Sequence, residues 1–181
     1  MSCDFITKGK KVSCLGAIGG VKNIFIGLYA DYGITATSQV VSSLGTLEET
    51  FKYEFTGGTN GLTETPTINW ETGSLFFTQV LAGTFPVQEE ELQHELFLLM
   101  RNRVIAFVED YNGNIKLMGL KNSAKASNGS AVTGAAKADL NGYTIELTAE
   151  EPEMAPFLSS GAKSALLATV ANSYIGETPE V

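Results

Sequence analysis

The stretch Val104–Leu120, V-I-A-F-V-E-D-Y-N-G-N-I-K-L-M-G-L, decides the fold. Two apolar runs flank Asn112-Gly113, a pair that tolerates positive φ at both central positions of a type I′ turn, whose twist matches that of antiparallel strands. A two-residue turn there sets Tyr111 opposite Asn114, Glu109 opposite Lys116 as an opposite-charge pair, Val108 opposite Leu117 and Phe107 opposite Met118. No residue in the hairpin is a nucleophile or a metal ligand. A second signal, Asn141-Gly142, leads into Tyr143–Thr148, where apolar and polar residues alternate with period two.

Working outward, Lys22–Tyr29 (K-N-I-F-I-G-L-Y) reads as a first strand and Ile34–Leu44 as weaker strand material. Phe51–Thr56 places Phe51, Tyr53 and Phe55 on one face, bounded by Gly57-Gly58. Thr63–Trp70 turns through Glu71–Ser74 into Leu75–Leu81, apolar on both faces and therefore central. One helix is expected over about 86–101, with Leu92, Leu96 and Leu99 as its buried stripe. Pro86 suits its first turn, Glu89, Glu90 and Glu91 oppose the positive end of its dipole, and Arg101 and Arg103 complement the negative end. The order is mainly β (α+β), with one flanking helix.

Lys121–Asp139 is small and polar, with Val132 its only large apolar residue. It reads as a long extended loop that pairs back through Asn141-Gly142, with Ala138 opposite Ile145 and Ala136 opposite Leu147. Deleting Asn122–Ser130 is then expected to spare the fold and abolish assembly. Residues 1–22 read as an extended N-terminal arm and 157–181 as a C-terminal extension carrying a weak helix around Lys163–Asn172. The whole, 181 residues with no Pro-rich linker or charge block, reads as one domain.

The net charge of −8 argues against a nucleic-acid reader, which needs clustered cations to displace counterions, yet suits a surface that DNA passes without sticking. Lys8, Lys10, Lys11 and Lys22 cluster early, whereas Glu146, Glu150, Glu151, Glu153, Glu177 and Glu180 crowd the end, a polarity suited to head-to-tail association. The first residues lack the order of a signal peptide and no apolar run reaches membrane-spanning length, which places the protein in the cytosol or in an assembly built there. Cys3 and Cys14 read as reduced thiols, and no metal or cofactor is expected. His94, beside Glu90, Glu91 and Glu95, lies opposite the leucine stripe and reads as a solvated histidine rather than a catalytic base. Gly16–Gly20 lacks the Lys-Ser/Thr of a phosphate loop, and Glu150, Glu151 and Glu153, interrupted by Pro152, read as a solvated acidic run. Trp70 reads as a core or interface residue, with a sugar-stacking platform beside Tyr53 as the alternative. No enzyme activity is expected.

F-K-Y-E-F-T-G-G followed by G-L-T-E-T-P-T-I-N-W-E-T-G (Phe51–Gly73), V-I-A-F-V-E-D-Y-N-G-N (Val104–Asn114) and V-T-G-A-A-K-A-D-L-N-G-Y-T-I-E-L (Val132–Leu147) together resemble small virion proteins of tailed bacteriophages, particularly of crAss-like and related Bacteroidales phages. The resemblance covers about half the chain and ends before Pro156. It implies an antiparallel β-sandwich or barrel of tail-tube type and a structural subunit of the virion tail or neck. Such a subunit forms a homo-oligomeric ring or tube through which the genome leaves, and its partners are copies of itself, neighbouring virion proteins and passing DNA bound without sequence specificity. A capsid-decorating or head-closure protein and a carbohydrate- or peptide-binding β-sandwich are the alternatives. The candidate assembly contacts are Lys8, Lys10, Lys11, Asn122, Lys125, Asn128, Val132, Glu150, Glu151 and Glu153.

Overall fold

A computed structural model describes residues 8–11, 16–55, 60–171 and 175. The residues Val104–Val108 are all buried, which requires that both faces of their strand be covered. That strand, β7 (Val104–Asp110), lies near the middle of a seven-stranded sheet. The sheet's other members are β1 (Val21–Leu28), β2 (Thr35–Thr37), β3 (Val40–Ser43), β4 (Phe51–Glu54), β8 (Ile115–Met118) and β11 (Phe157–Leu158), in the order β2-β3-β11-β8-β7-β1-β4. A second, four-stranded antiparallel sheet has the order β5-β6-β10-β9, built from β5 (Gly61–Asn69), β6 (Ser74–Pro86), β9 (Lys125–Val132) and β10 (Gly142–Glu151).

Period-two alternation sorts the side chains of the larger sheet into two cores. Ile24, Ile26, Val104, Ala106 and Val108 point at the four-stranded sheet, where they meet Leu81, Phe85, Ile145, Leu147 and the Leu92, Leu96 and Leu99 stripe of α1 (Glu90–Arg101). Burying each of those leucines stabilises the fold by about 1.5–3 kcal/mol. Phe25, Ile105, Phe107 and Leu117 point the other way, onto Val41, Leu44, Leu47 and the buried pair Ala162 and Leu166 of α2 (Ser160–Ala168). The architecture is mainly β, an open sandwich rather than a closed barrel, with a third layer behind it.

Several expectations change. The 104–120 hairpin is shifted by one: Val108 lies opposite Lys116, Phe107 opposite Leu117 and Glu109 opposite Ile115. The Asp110 carboxylate causes this by accepting the backbone N–H of Asn112 (2.9 Å) and Asn114 (2.8 Å), which stabilises a three-residue loop with Gly113 at φ 76° in place of the two-residue turn. Lys116 therefore pairs with Glu64 of β5 at 2.5 Å and ties the two sheets, while Glu109 accepts a hydrogen bond from Asn23 at 2.6 Å. Pro86 ends β6 and is not in the helix; Val87 at φ 74° turns the chain, and the helix begins only after Glu89.

Asn141-Gly142 is not a hairpin turn either. Gly142 pairs with both Pro86 and Val132 inside the sheet, and a Cβ there would meet the Phe85 carbonyl oxygen at 2.1 Å. The reversal falls earlier, where Asp139 accepts the N–H groups of Ala135 and Ala136. The expected loop over 121–139 thus contains strand β9, and Ile145 lies opposite Gly129, not Ala138. Its small residues reflect α1 above them, since a Cβ on Gly129 would meet the Met100 methyl at 3.1 Å. Ser123 and Ala124 ahead of β9 are buried, and Ala124 bridges to Val104, so deleting 122–130 is now expected to open the core rather than spare the fold. Residues Phe157–Ala168 are an ordered part of the second core, and their helix starts at Ser160 because the Ser159 side chain caps it by accepting from Ala162 N–H. One strand pair, β11 with β3, is parallel. Cys3, Cys14, Gly57, Gly58, Glu177 and Glu180 lie outside the described residues.

Candidate assembly surface

The four-stranded sheet packs one face on the core, so alternation leaves the other to solvent. Its rows follow from the register: Thr63, Val80, Thr148 and Lys125; Gly61, Ala82, Glu146 and Asn128; Thr84, Thr144 and Ser130; Thr65, Thr78 and Glu150. Hydroxyls dominate, and they are linked. Ser130 and Thr144 lie 2.7 Å apart, Thr148 donates to Ser127 at 2.8 Å, and Ser127 donates to a Glu146 carboxylate oxygen at 2.9 Å. The sheet is bounded by β5 and β9, neither of which pairs with another strand on its outer side among the described residues. Because the four strands alternate in direction, β5 and β9 run antiparallel to each other.

Beside β9 lies a flank of α1 carrying Phe97 and Met100, 53% and 47% exposed. Gln93, one turn earlier on the same flank, accepts a hydrogen bond from the Tyr143 hydroxyl at 3.3 Å. Near this helix start, Gln93, His94, Phe97 and Tyr143 line a cleft of about 660 Å³ rimmed by Glu89 and Glu90. The imidazole of His94 is exposed.

The sequence-derived contacts do not form one patch. Lys125 and Asn128 stand on the outer sheet face and Val132 at the end of β9. Lys8, Lys10 and Lys11 are exposed and outside any regular element. The three acidic residues diverge. Glu150 is on the outer face, Glu151 points into the core side at 4% exposure, and Glu153 is exposed, accepting from Gln39 at 2.9 Å and lying 3.4 Å from the Lys121 ammonium. Glu151 is thus no solvated acid. It accepts the N–H of Lys121 (3.0 Å) and Asn122 (2.8 Å), yet burial outweighs those bonds and pushes its carboxyl above the usual range. Asn122 donates from its side chain to the Glu150 carbonyl oxygen at 2.7 Å, pinning the turn ahead of β9.

The chain matches no family model, no curated protein and no solved structure. Trp70, expected in a core or interface, is 89% exposed at the turn between β5 and β6. Tyr53 lies elsewhere, its ring 5.8 Å from that of Phe85 near the far end of β6, so the two aromatics form no common platform. Burial, reinforced by the charge of Glu95, raises the Tyr53 hydroxyl to about 12. No helix among the described residues is long and apolar enough to cross a membrane.

Sequence reasoning missed β9 as an edge strand and the exposure of Ile68, Trp70 and Leu75. No local pattern carries the second, because the exposure of those three residues follows from where pairing to β10 ends.

Proposed function

We propose that this protein is a structural subunit of a tailed-bacteriophage virion, closing into a homo-oligomeric ring of the tail or neck through which the genome passes. The observation that carries the oligomeric part is the pair of open, oppositely directed edges of the four-stranded sheet. Rotating a copy about an axis along the strands brings its β5 beside β9 of its neighbour in antiparallel sense, with like faces on like sides. Repetition continues one antiparallel sheet around the ring and satisfies every edge, which turns an aggregation hazard into closed symmetry. Pro66 on β5 and the bulge at Ser127 on β9 fix where such pairing can run.

The other face of that sheet is occupied by the core, so the face left for a lumen is the hydroxyl-rich one. Glu146 and Glu150 outnumber Lys125 there, a balance that repels phosphate while the hydroxyls stay hydrated. The virion setting rests on the resemblance of the Phe51–Gly73, Val104–Asn114 and Val132–Leu147 segments.

Light scattering over a concentration series with negative-stain imaging tests the reading. Closed particles of uniform diameter are expected, and Met100→Glu, which sets a charge on the flank bordering β9, is expected to give folded protein of monomer mass. Parent protein that stays monomeric at all concentrations, with and without other virion proteins, removes the ring. A capsid-decorating or head-closure role is then favoured by binding to capsid, and a binding module by saturable quenching of the exposed Trp70 with a glycan.

A further inference from the structure

The pairing of β6 with β10 stops at Phe77, whereas its pairing with β5 continues through Phe76 with Thr67, Leu75 with Ile68 and Ser74 with Asn69. The last part of this hairpin is therefore a two-stranded arm beyond the sheet. Its turn is built: Asn69 Oδ1 accepts the N–H of Glu71 (2.9 Å) and Thr72 (3.3 Å), and Gly73 supplies φ 68°. The arm displays Ile68, Trp70 and Leu75 at 52%, 89% and 51% exposure. A two-stranded ribbon is marginal in water alone, and an aromatic of this size offers about 150–250 Å² for burial, so the arm is suited to covering by a partner.

The opposite end of the same sheet carries a second apolar patch. Val87, Val132 and Leu140 are exposed there, next to the cleft lined by Phe97 and Tyr143. Val87 is held at φ 74°, a costly conformation for a β-branched residue, with its N–H bonded to the Asn141 carbonyl oxygen at 2.7 Å. The two ends are complementary: one is a protruding tip with an indole N–H to donate, the other a recess with the acceptors Glu89, Glu90 and Gln93 at its rim.

We propose that the β5–β6 tip of one copy docks on the Val87, Val132 and Leu140 end of a second copy, Trp70 entering the Phe97–Tyr143 cleft, so that copies stack head to tail along the strand direction. This rests on the homo-oligomeric reading above and names its axial contact. A two-fold arrangement joining two tips would leave the other end bare, whereas a head-to-tail contact covers both and repeats without limit. The repeat is set by β6, whose thirteen residues span about 40 Å. Glu71 beside Trp70 brings like charge to the rim, so added salt strengthens the stack.

The test mixes Glu71→Cys, which keeps Trp70, with Val132→Cys protein, each also carrying Cys3→Ser and Cys14→Ser, and images the full-length parent and the Trp70→Ser/Leu75→Thr double variant. The expected results are a 71–132 disulfide forming at least about tenfold faster than a 71–148 disulfide with Thr148→Cys, stacks with an axial repeat of about 40 Å in the parent, and unstacked rings in the double variant. Equal cross-linking to both positions, or stacking by the double variant, overturns the arm contact and leaves the ring. Head-to-tail chains without closed rings overturn the ring and leave the arm contact. A monomer with no 71–132 cross-link overturns both.

Discussion

Gly83 is a glycine whose role can be tested with one methyl group. It lies on the core face of β6 opposite Ile145, and a Cβ added there would stand 2.4 Å from Phe55 Cζ and 2.8 Å from Cε1. The ring of Phe55 is 5% exposed and lies 5.0 Å from that of Phe85, so it has little room to withdraw. Gly83 has no positive φ, so alanine there relieves unfolded-state entropy by about 0.4–1 kcal/mol. Overpacking against the aromatic ring opposes this with about 1–3 kcal/mol, leaving a net destabilisation of about 1–2 kcal/mol. At about 2–4 °C per kcal/mol for a chain of this length, thermal unfolding should fall by about 2–8 °C. Urea and thermal denaturation of Gly83→Ala, Phe55→Leu and the double variant would measure it. The double variant should be more stable than the sum of the single effects by about 1 kcal/mol, because leucine vacates the space the methyl needs. Gly61→Ala, also without a positive φ and with no atom within 4 Å of the new Cβ, is the control and should gain only the entropic contribution, about 0.4–1 kcal/mol. A Gly83→Ala protein as stable as the parent would refute the packing assigned to Phe55.

Other outcomes follow from the same structure. Asp110→Ala should cost about 1–2 kcal/mol at neutral pH by removing the turn's acceptor, without touching the core. Burial opposes ionisation of Asp110, but the hydrogen bonds from Asn114 and Asn112 outweigh it and hold the carboxyl below its ordinary value. The cost should therefore be present above the usual carboxylate range and vanish as pH falls through the lowered value; a penalty that persists in strong acid would count against the turn mechanism. Glu151 carries the opposite sign: its folded carboxyl titrates above the unfolded one, so the parent should lose stability relative to Glu151→Gln as pH rises from about 4.5 toward neutrality, as denaturation at several pH values would show. A relative gain over that range would overturn the burial assigned to it. Deleting Asn122–Ser130 should abolish cooperative melting, because it removes the buried Ser123 and Ala124 and most of β9; a soluble, cooperatively unfolding product would show that β9 is dispensable.

The features legible from residue order alone are local and periodic. Alternation in Tyr143–Thr148 and the 92, 96, 99 stripe of α1 specify a strand and a helix through side-chain spacing, since burial on one face repeats every two or 3.6 residues, and the short, largely apolar runs Val104–Val108 and Leu75–Leu81 mark strands, the first of them covered on both faces. Register, by contrast, turned on a few hydrogen bonds: the Asp110 carboxylate moved one hairpin by a residue, and the Asp139 carboxylate drew the other reversal away from Asn141-Gly142. Strand β9 was decided only in three dimensions, because K-A-S-N-G-S-A-V has no strand preference of its own and is held by pairing to β10 and by the need for small side chains beneath Met100. The candidate surface belongs to the same class. Which alternating face of the four-stranded sheet stays wet, and how far β5 and β6 run past β10 to present Trp70, depend on what packs behind the sheet and where the neighbouring strand ends. Those are contacts between residues far apart in the chain, and no local pattern encodes them.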